Sequence, residues 1–266
     1  IDDANAGSAT AAGTITTATL NNFGAATINS GALTTLNLSG TGTSANAGTL
    51  GALTTAANAT LALNVDSLTT TGAVTVDTDI TTLNLDATGT ASTINALSAA
   101  GATTLNVSGD AKVTLTGHTL TAVDTVTVTN TGGAAMSGTV LGNAVAFTGG
   151  AGADAISVAA TTKAITMGAG NDTVIYGGAV GTGGSVNAGD GTDIISMTFA
   201  EANAADASAV FNSKFTNFET VNLEDAITGA LDVDGLNNAT TVVLAAGSNA
   251  GTLNNIDSGS TVHIKA

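Results

Sequence analysis

The chain has 266 residues, a net charge of −16, and only Lys112, Lys163, Lys214 and Lys265 as fixed cations, with no arginine. Phosphate recognition needs clustered cations, so nucleic acid is excluded as a partner and an anionic membrane surface is disfavoured. No apolar run approaches the length of a membrane span, and the absence of cysteine removes disulfides and thiolate metal sites.

Glycine is abundant at 34 residues and proline is absent. A chain that is 43% hydrophobic and 9% charged nevertheless carries enough apolar surface to fold. Its acidic excess repels itself unless cations neutralise it. Cysteine-free, acidic, Thr/Ala/Gly/Asn-rich composition is common among secreted bacterial surface proteins. The sequence opens at Ile1 without a signal peptide, as expected of a mature product or a segment of something longer.

In chain order, one phrase returns from Thr14 onward: Thr35-Leu36-Asn37-Leu38, Leu63-Asn64-Val65, Thr82-Leu83-Asn84-Leu85, Thr104-Leu105-Asn106-Val107 and Val126-Thr127-Val128. Between these lie shorter alternating runs, such as Ala73-Val74-Thr75-Val76 and Lys112-Val113-Thr114-Leu115. Period-two alternation bounded by Gly, Ser, Asn or Asp predicts short strands, and their regular return predicts a solenoid. Leu83 and Leu85 should face inward. Asn84 should point out, or stack as a ladder if the interior is polar. At roughly 21 residues and about 4.8 Å per coil, the expectation is about a dozen coils in a rod of about 60 Å.

From Gly149 to Ser196 the pattern changes. Gly149-Gly150-Ala151-Gly152-Ala153-Asp154-Ala155-Ile156-Ser157 fills a complete G-G-x-G-x-D-x-U-x nonapeptide. Met167-Gly168-Ala169-Gly170-Asn171-Asp172-Thr173-Val174-Ile175 and Ala188-Gly189-Asp190-Gly191-Thr192-Asp193-Ile194-Ile195-Ser196 depart from it only at the opening glycine. Asp172 follows Asp154 by 18 residues, two nonapeptides, and Asp193 follows Asp172 by 21. Two nonapeptides complete one coil of a β-roll, so these loops should stack on one edge. Plain Asp-Gly turns without an ion are the alternative. Three loops in phase favour Ca²⁺, which wants six to eight oxygens, more than one loop can offer. The expected pairs are Asp154 with Asp172 at one ion and Asp172 with Asp193 at a second.

Thr198-Phe199-Ala200-Glu201 reads as a capping box opening one short helix toward Lys214. With Phe211, Phe215 and Phe218 spaced four and three apart, this short amphipathic helix should cover the calcium-bearing roll or a kink; a docking surface for a neighbouring subunit is the other reading. Strand rhythm resumes at Phe218-Glu219-Thr220-Val221-Asn222-Leu223 and continues through Thr241-Val242-Val243-Leu244 and Thr261-Val262-His263-Ile264.

The nonapeptides resemble the RTX repeats of proteins exported by type I secretion. The Leu-Asn-Leu phrases and Phe218-Glu219-Thr220-Val221-Asn222-Leu223 resemble bacterial S-layer proteins that carry such repeats. The resemblance implies a secreted subunit that assembles with calcium on the outer surface of a Gram-negative cell. It implies metal-binding loops at Gly149, Gly150, Ala151, Gly152 and Asp154; at Gly168, Ala169, Gly170 and Asp172; and at Gly189, Asp190, Gly191 and Asp193. The implied partner is the protein itself, in a lattice or filament. Cell-surface polysaccharide would be reached through an anchor not recognisable in these residues.

β-Helices also host polysaccharide lyases and epimerases, whose sites need a base and cations for acidic sugar. Here His118, His263, Tyr176 and the four lysines are scattered, with no triad and no histidine cluster. His118 reads as a turn residue and Tyr176 as packing, so the chain is not expected to be an enzyme. Asp77, Asp79 and Asp86 form a secondary candidate metal group; Glu224 with Asp225 and Asp232 with Asp234 read as solvated turns. Neither end of the sequence looks strongly capped, which favours assembly.

The expected architecture is therefore all-β, a right-handed parallel β-solenoid with one helix near 199–214. Thr/Asn/Leu-rich coils would span 1–148, the calcium roll 149–197, a helical insertion 198–218 and further coils 219–266, as one continuous solenoid. The expected role is a self-assembling structural protein, with an adhesin segment as the alternative and an RTX-bearing carbohydrate enzyme third.

Overall fold

A computed structural model describes residues 1–5, 8, 11, 13–47, 59–178, 183–236 and 239–265. The protein is an all-β parallel β-solenoid: strands recur coil after coil and every strand pairing described is parallel. Its chain divides into two compact units, Ile1–Thr139 and Val140–Ala266.

In the first unit the main column stacks Thr17–Ile28, Thr35–Ala47, Thr60–Thr70, Thr82–Thr88, Thr104–Gly109 and Thr125–Val128. Two further columns run alongside it. One stacks Ala73–Val76, Ala96–Ser98 and His118–Thr119 on the end of Thr35–Ala47. The other stacks Ser92–Ile94, Val113–Leu115 and Ala134–Val140. Ser92–Ile94 and Ala96–Ser98 belong to different columns because the chain turns a corner between them at Asn95.

Alternation decides the interior. Leu63, Leu85, Val107 and Val128 align in register, as do Leu61, Leu83, Leu105 and Val126, and all are at most 1% exposed. At about 25 cal/mol per Å² of apolar surface removed from water, these repeated aliphatic files supply the main driving force. The asparagines between them point outward and stack as well: Asn106 Nδ2 donates to Asn84 Oδ1 at 2.8 Å, and Asn64 Nδ2 to Asn37 Oδ1 at 2.8 Å. Asn84 thus points out, as the first expectation had it; the interior is apolar, and the ladder forms on the outer face instead.

His118, expected in a turn, is a buried strand residue, and burial holds its imidazole below the ordinary range. The N-terminal residues also carry more than the sequence suggested. Asp3 is buried, and its carboxylate accepts hydrogen bonds from the backbone N–H of Asn5, Thr14 and Ile15 and from the Ser30 hydroxyl. The N–H donors of Asn5, Ile15 and Thr14 hold Asp3 well below the usual carboxylate range.

In the second unit the main column stacks Ala155–Val158, Thr173–Tyr176, Ile194–Met197, Thr220–Leu223, Thr241–Leu244 and Thr261–Ile264. Ile156, Val174, Ile195, Val221 and Val242 form its inward file. A neighbouring column stacks Ala146–Thr148, Ala164–Thr166, Ser185–Asn187 and Phe215–Thr216.

The insertion contains two helices rather than one, α1 (Phe199–Asp206) and α2 (Ala209–Lys214). Thr198 and Glu201 close the capping box that the sequence predicts at the start of α1. The break comes at Ala207–Ser208, because Ser208 leaves the helical backbone and its hydroxyl accepts from Phe211 N–H, capping α2. Phe211 and Phe215 stack at 4.8 Å, and Tyr176 meets them edge-on at 5.5 and 5.1 Å. The aromatics do cover the roll, and Tyr176 belongs to that packing. The insertion ends sooner than expected, since Phe215–Thr216 has already rejoined the strand column beside Val186–Asn187.

Candidate metal site

The three glycine-aspartate loops stack directly. Register pairs Ala155 with Thr173 and Thr173 with Ile194, so Asp154, Asp172 and Asp193 occupy equivalent positions one coil apart. Backbone bonds fasten the loop bodies: Ala169 N–H donates to the Gly150 carbonyl at 2.7 Å and Asp190 N–H to the Gly168 carbonyl at 2.9 Å. Gly170 N–H donates back to the Asp190 carbonyl at 2.9 Å, so consecutive loops interlock.

Close approach explains the glycines. Gly189 has φ +99°, and a Cβ there would lie 1.9 Å from the Gly168 carbonyl oxygen. A Cβ on Gly170 would meet the Gly152 carbonyl at 2.7 Å and that of Ala151 at 3.3 Å. The loops thus present backbone carbonyls to one another with no side chain between. We expect Gly189→Ala to destabilise the second unit by about 1–3 kcal/mol through backbone strain and clash. Gly24→Ala, at a position with open space around it, should leave the midpoint of denaturant unfolding unchanged.

The aspartates form a ladder. Asp172 Oδ1 accepts from Asp154 N–H at 2.7 Å, and Asp193 Oδ1 accepts from Asp172 N–H at 2.7 Å. Asp154 is 1% exposed, and Asp172 and Asp193 are fully buried. The second carboxylate oxygens of Asp172 and Asp193 are buried without a hydrogen-bond partner among the described residues. Burial pushes the Asp172 carboxyl up to about 7, with the charges of Asp154 and Asp193 adding to the rise. Burial raises Asp193 too, reinforced by Glu219 and Asp190.

Such a column is unstable by itself. Unpartnered buried carboxylate oxygen is costly, and like charges one coil apart repel. Among the described residues no three of His, Cys, Asp or Glu converge into a metal-binding group. Each step of the column offers a pair of acids instead, with loop carbonyls beside them. Hard oxygen donors of this mixture suit Ca²⁺, which accepts carboxylate and peptide carbonyl ligands in irregular geometry. The residues present fit the ion.

Asp190 stands apart from the buried column, exposed at the tip of its loop. Asp77, Asp79 and Asp86 do not come together as a group. Asp77 Oδ1 accepts from Asp79 N–H in a turn, while Asp86 lies in Thr82–Thr88 and accepts the Ser108 hydroxyl at 2.7 Å. The other acid pairs have local tasks: Glu224 accepts from Ser196, Asp225 from Phe199 N–H, and Asp232 from Asp234 N–H.

One member of the ladder escaped sequence reasoning. Asp193 N–H donates to Glu219 Oε2 at 2.8 Å, and Ile194 pairs with Thr220, so Glu219 occupies the next equivalent position. Its loop is no nonapeptide, and 26 residues, helices included, separate it from Asp193. The signal available was its place immediately before a recovered strand phrase, the place Asp172 and Asp193 also hold.

No protein-family model matches the chain, nor does any curated protein. The fold and the ladder define the class, a parallel β-solenoid with a buried file of carboxylates along one edge of its second unit.

Proposed function

We propose that the protein is a structural subunit of a bacterial outer surface, secreted and self-assembling, whose solenoid closes when calcium fills the Asp154–Asp172–Asp193 column. The observation that carries this reading is the pair of buried oxygens on Asp172 and Asp193 that lack hydrogen-bond partners. In cation-poor surroundings the carboxylates oppose folding. Outside the cell, millimolar calcium offsets their repulsion, and ion binding free energy becomes folding free energy. The mechanism is a folding and assembly switch, not catalysis, and the RTX and S-layer resemblance of the sequence agrees with it.

A second reading, a ligand-binding adhesin segment, draws on a groove of about 180 Å³ in the first unit. Asn37, Ser39, Asn64, Asp66 and Thr88 line it with polar atoms suited to a hydroxyl-rich ligand. Electron microscopy of the purified protein, with calcium and with chelator, separates the two. Calcium-dependent sheets or filaments are the expected result. Discrete particles under both conditions would overturn self-assembly and favour the adhesin.

A further inference from the structure

Glu219 follows the insertion of α1 and α2, yet it meets the last aspartate of the column. Three features of the earlier steps recur there. The backbone N–H of the preceding acid is held by the carboxylate of the following one, here Asp193 by Glu219 at 2.8 Å. The residue two positions before the acid has positive φ: Gly170 at +128°, Gly191 at +157° and now Asn217 at +61°. The strand after the acid pairs in register with the strand one coil back, Thr220 with Ile194. Asparagine tolerates the left-handed conformation best after glycine, so the turn is reproduced without the motif.

A second observation points to a ligand. Asp193 is fully buried, its Oδ1 is committed to Asp172 N–H, and its Oδ2 has no hydrogen-bond partner among the described residues.

We propose that Asp193 and Glu219, with carbonyls of the adjoining loops, bind a further divalent cation, so that the metal column extends one coil past the glycine-aspartate repeats. This inference rests on the calcium reading of the column above. Its consequence concerns the insertion. Asp193 and Glu219 lie on either side of the two helices in sequence, so one ion between them staples the ends of the 194–218 excursion together. Phe211 and Phe215 are then held against Tyr176 by an ionic tie as well as by packing.

Calorimetric titration with Ca²⁺ of the intact protein and of Glu219→Gln tests this. Glutamine keeps an oxygen for Asp193 N–H and removes the charge. Glu224→Gln, whose carboxylate serves Ser196 outside the column, controls for a lost acid. The expected result is three ions bound by the wild type and by Glu224→Gln, and two by Glu219→Gln, with faster proteolysis between α1 and α2. A folded Glu219→Gln that binds as many ions as the wild type would overturn the proposal while leaving the calcium column intact. A wild type that binds no calcium would overturn both. Circular dichroism of Glu219→Gln verifies its fold, and Glu219→Asp, which restores a carboxylate, should recover the third ion in part.

Discussion

Asp172→Asn is expected to stabilise the protein in chelator and to destabilise it, relative to the wild type, in calcium. Asp172 stands at the centre of the ladder, flanked by Asp154 and Asp193 and fully buried. Asparagine is nearly isosteric and its Oδ1 can still accept from Asp154 N–H. What it removes is a buried negative charge. Without metal, that relief should be worth about 1–2 kcal/mol, the full shift in proton affinity being discounted for solvent screening. With metal, the variant gives up a carboxylate shared by the Asp154–Asp172 and Asp172–Asp193 ions. A ligand at a hundred times its dissociation constant contributes about 2.7 kcal/mol per site, so the loss in calcium should exceed the gain in chelator. Asp154→Asn should weaken only the first ion and leave the second. Thermal unfolding of the three proteins in both buffers reads the crossing directly; parallel shifts would mean that Asp172 has no metal-dependent role.

The second large effect is a reversal of pH dependence. Asp172 titrates in the fold near 7, well above the ordinary carboxylate value of 3.8. A group whose folded pKa is raised favours the fold when protonated, so its penalty is absent below about pH 4 and grows until about pH 7. Asp193 shifts in the same direction. Asp3 opposes them: its lowered pKa contributes stability that is present above the ordinary range and lost as pH falls below it. In chelator the melting temperature should therefore peak near about pH 4 and fall by several degrees toward pH 8. Calcium should remove that fall, since the ion takes the place of the proton on the column and protons compete with it at low pH. A melting temperature in chelator that rises steadily from pH 5 to pH 8 would contradict the burial of these charges.

The parts of this architecture that repeat were legible in the sequence, and the parts that occur once were not. Alternation at Leu83–Leu85 and the regular return of the Thr-Leu-Asn-Leu phrase specify inward and outward faces, because a strand's period of two admits no other assignment with one face buried. Glycine-aspartate spacing likewise placed Asp154, Asp172 and Asp193 on one edge. Glu219 stayed hidden because it lies 26 residues after Asp193, beyond two helices, and keeps only the hydrogen-bond contact of the ladder and not its sequence motif. Asp3 was hidden for a related reason. Its partners Thr14, Ile15 and Ser30 are up to 27 residues away, and nothing local marks an aspartate that will gather N–H groups from another coil. The break between α1 and α2 turned on a single side chain, Ser208, capping the turn that follows it. Asp77, Asp79 and Asp86 show the opposite case. Proximity along the chain put them together, and the coil geometry assigned them to a turn and to a strand ladder.

The tie between calcium and folding is most directly tested by amide hydrogen exchange of the protein with calcium and with chelator. Protection of Thr173–Tyr176, Ile194–Met197 and Thr220–Leu223 should rise strongly with calcium, since these strands leave the column directly. Thr82–Thr88 and Thr104–Gly109, in the first unit, should exchange at the same rate in both buffers. Equal protection of the second-unit strands with and without the ion would contradict the account.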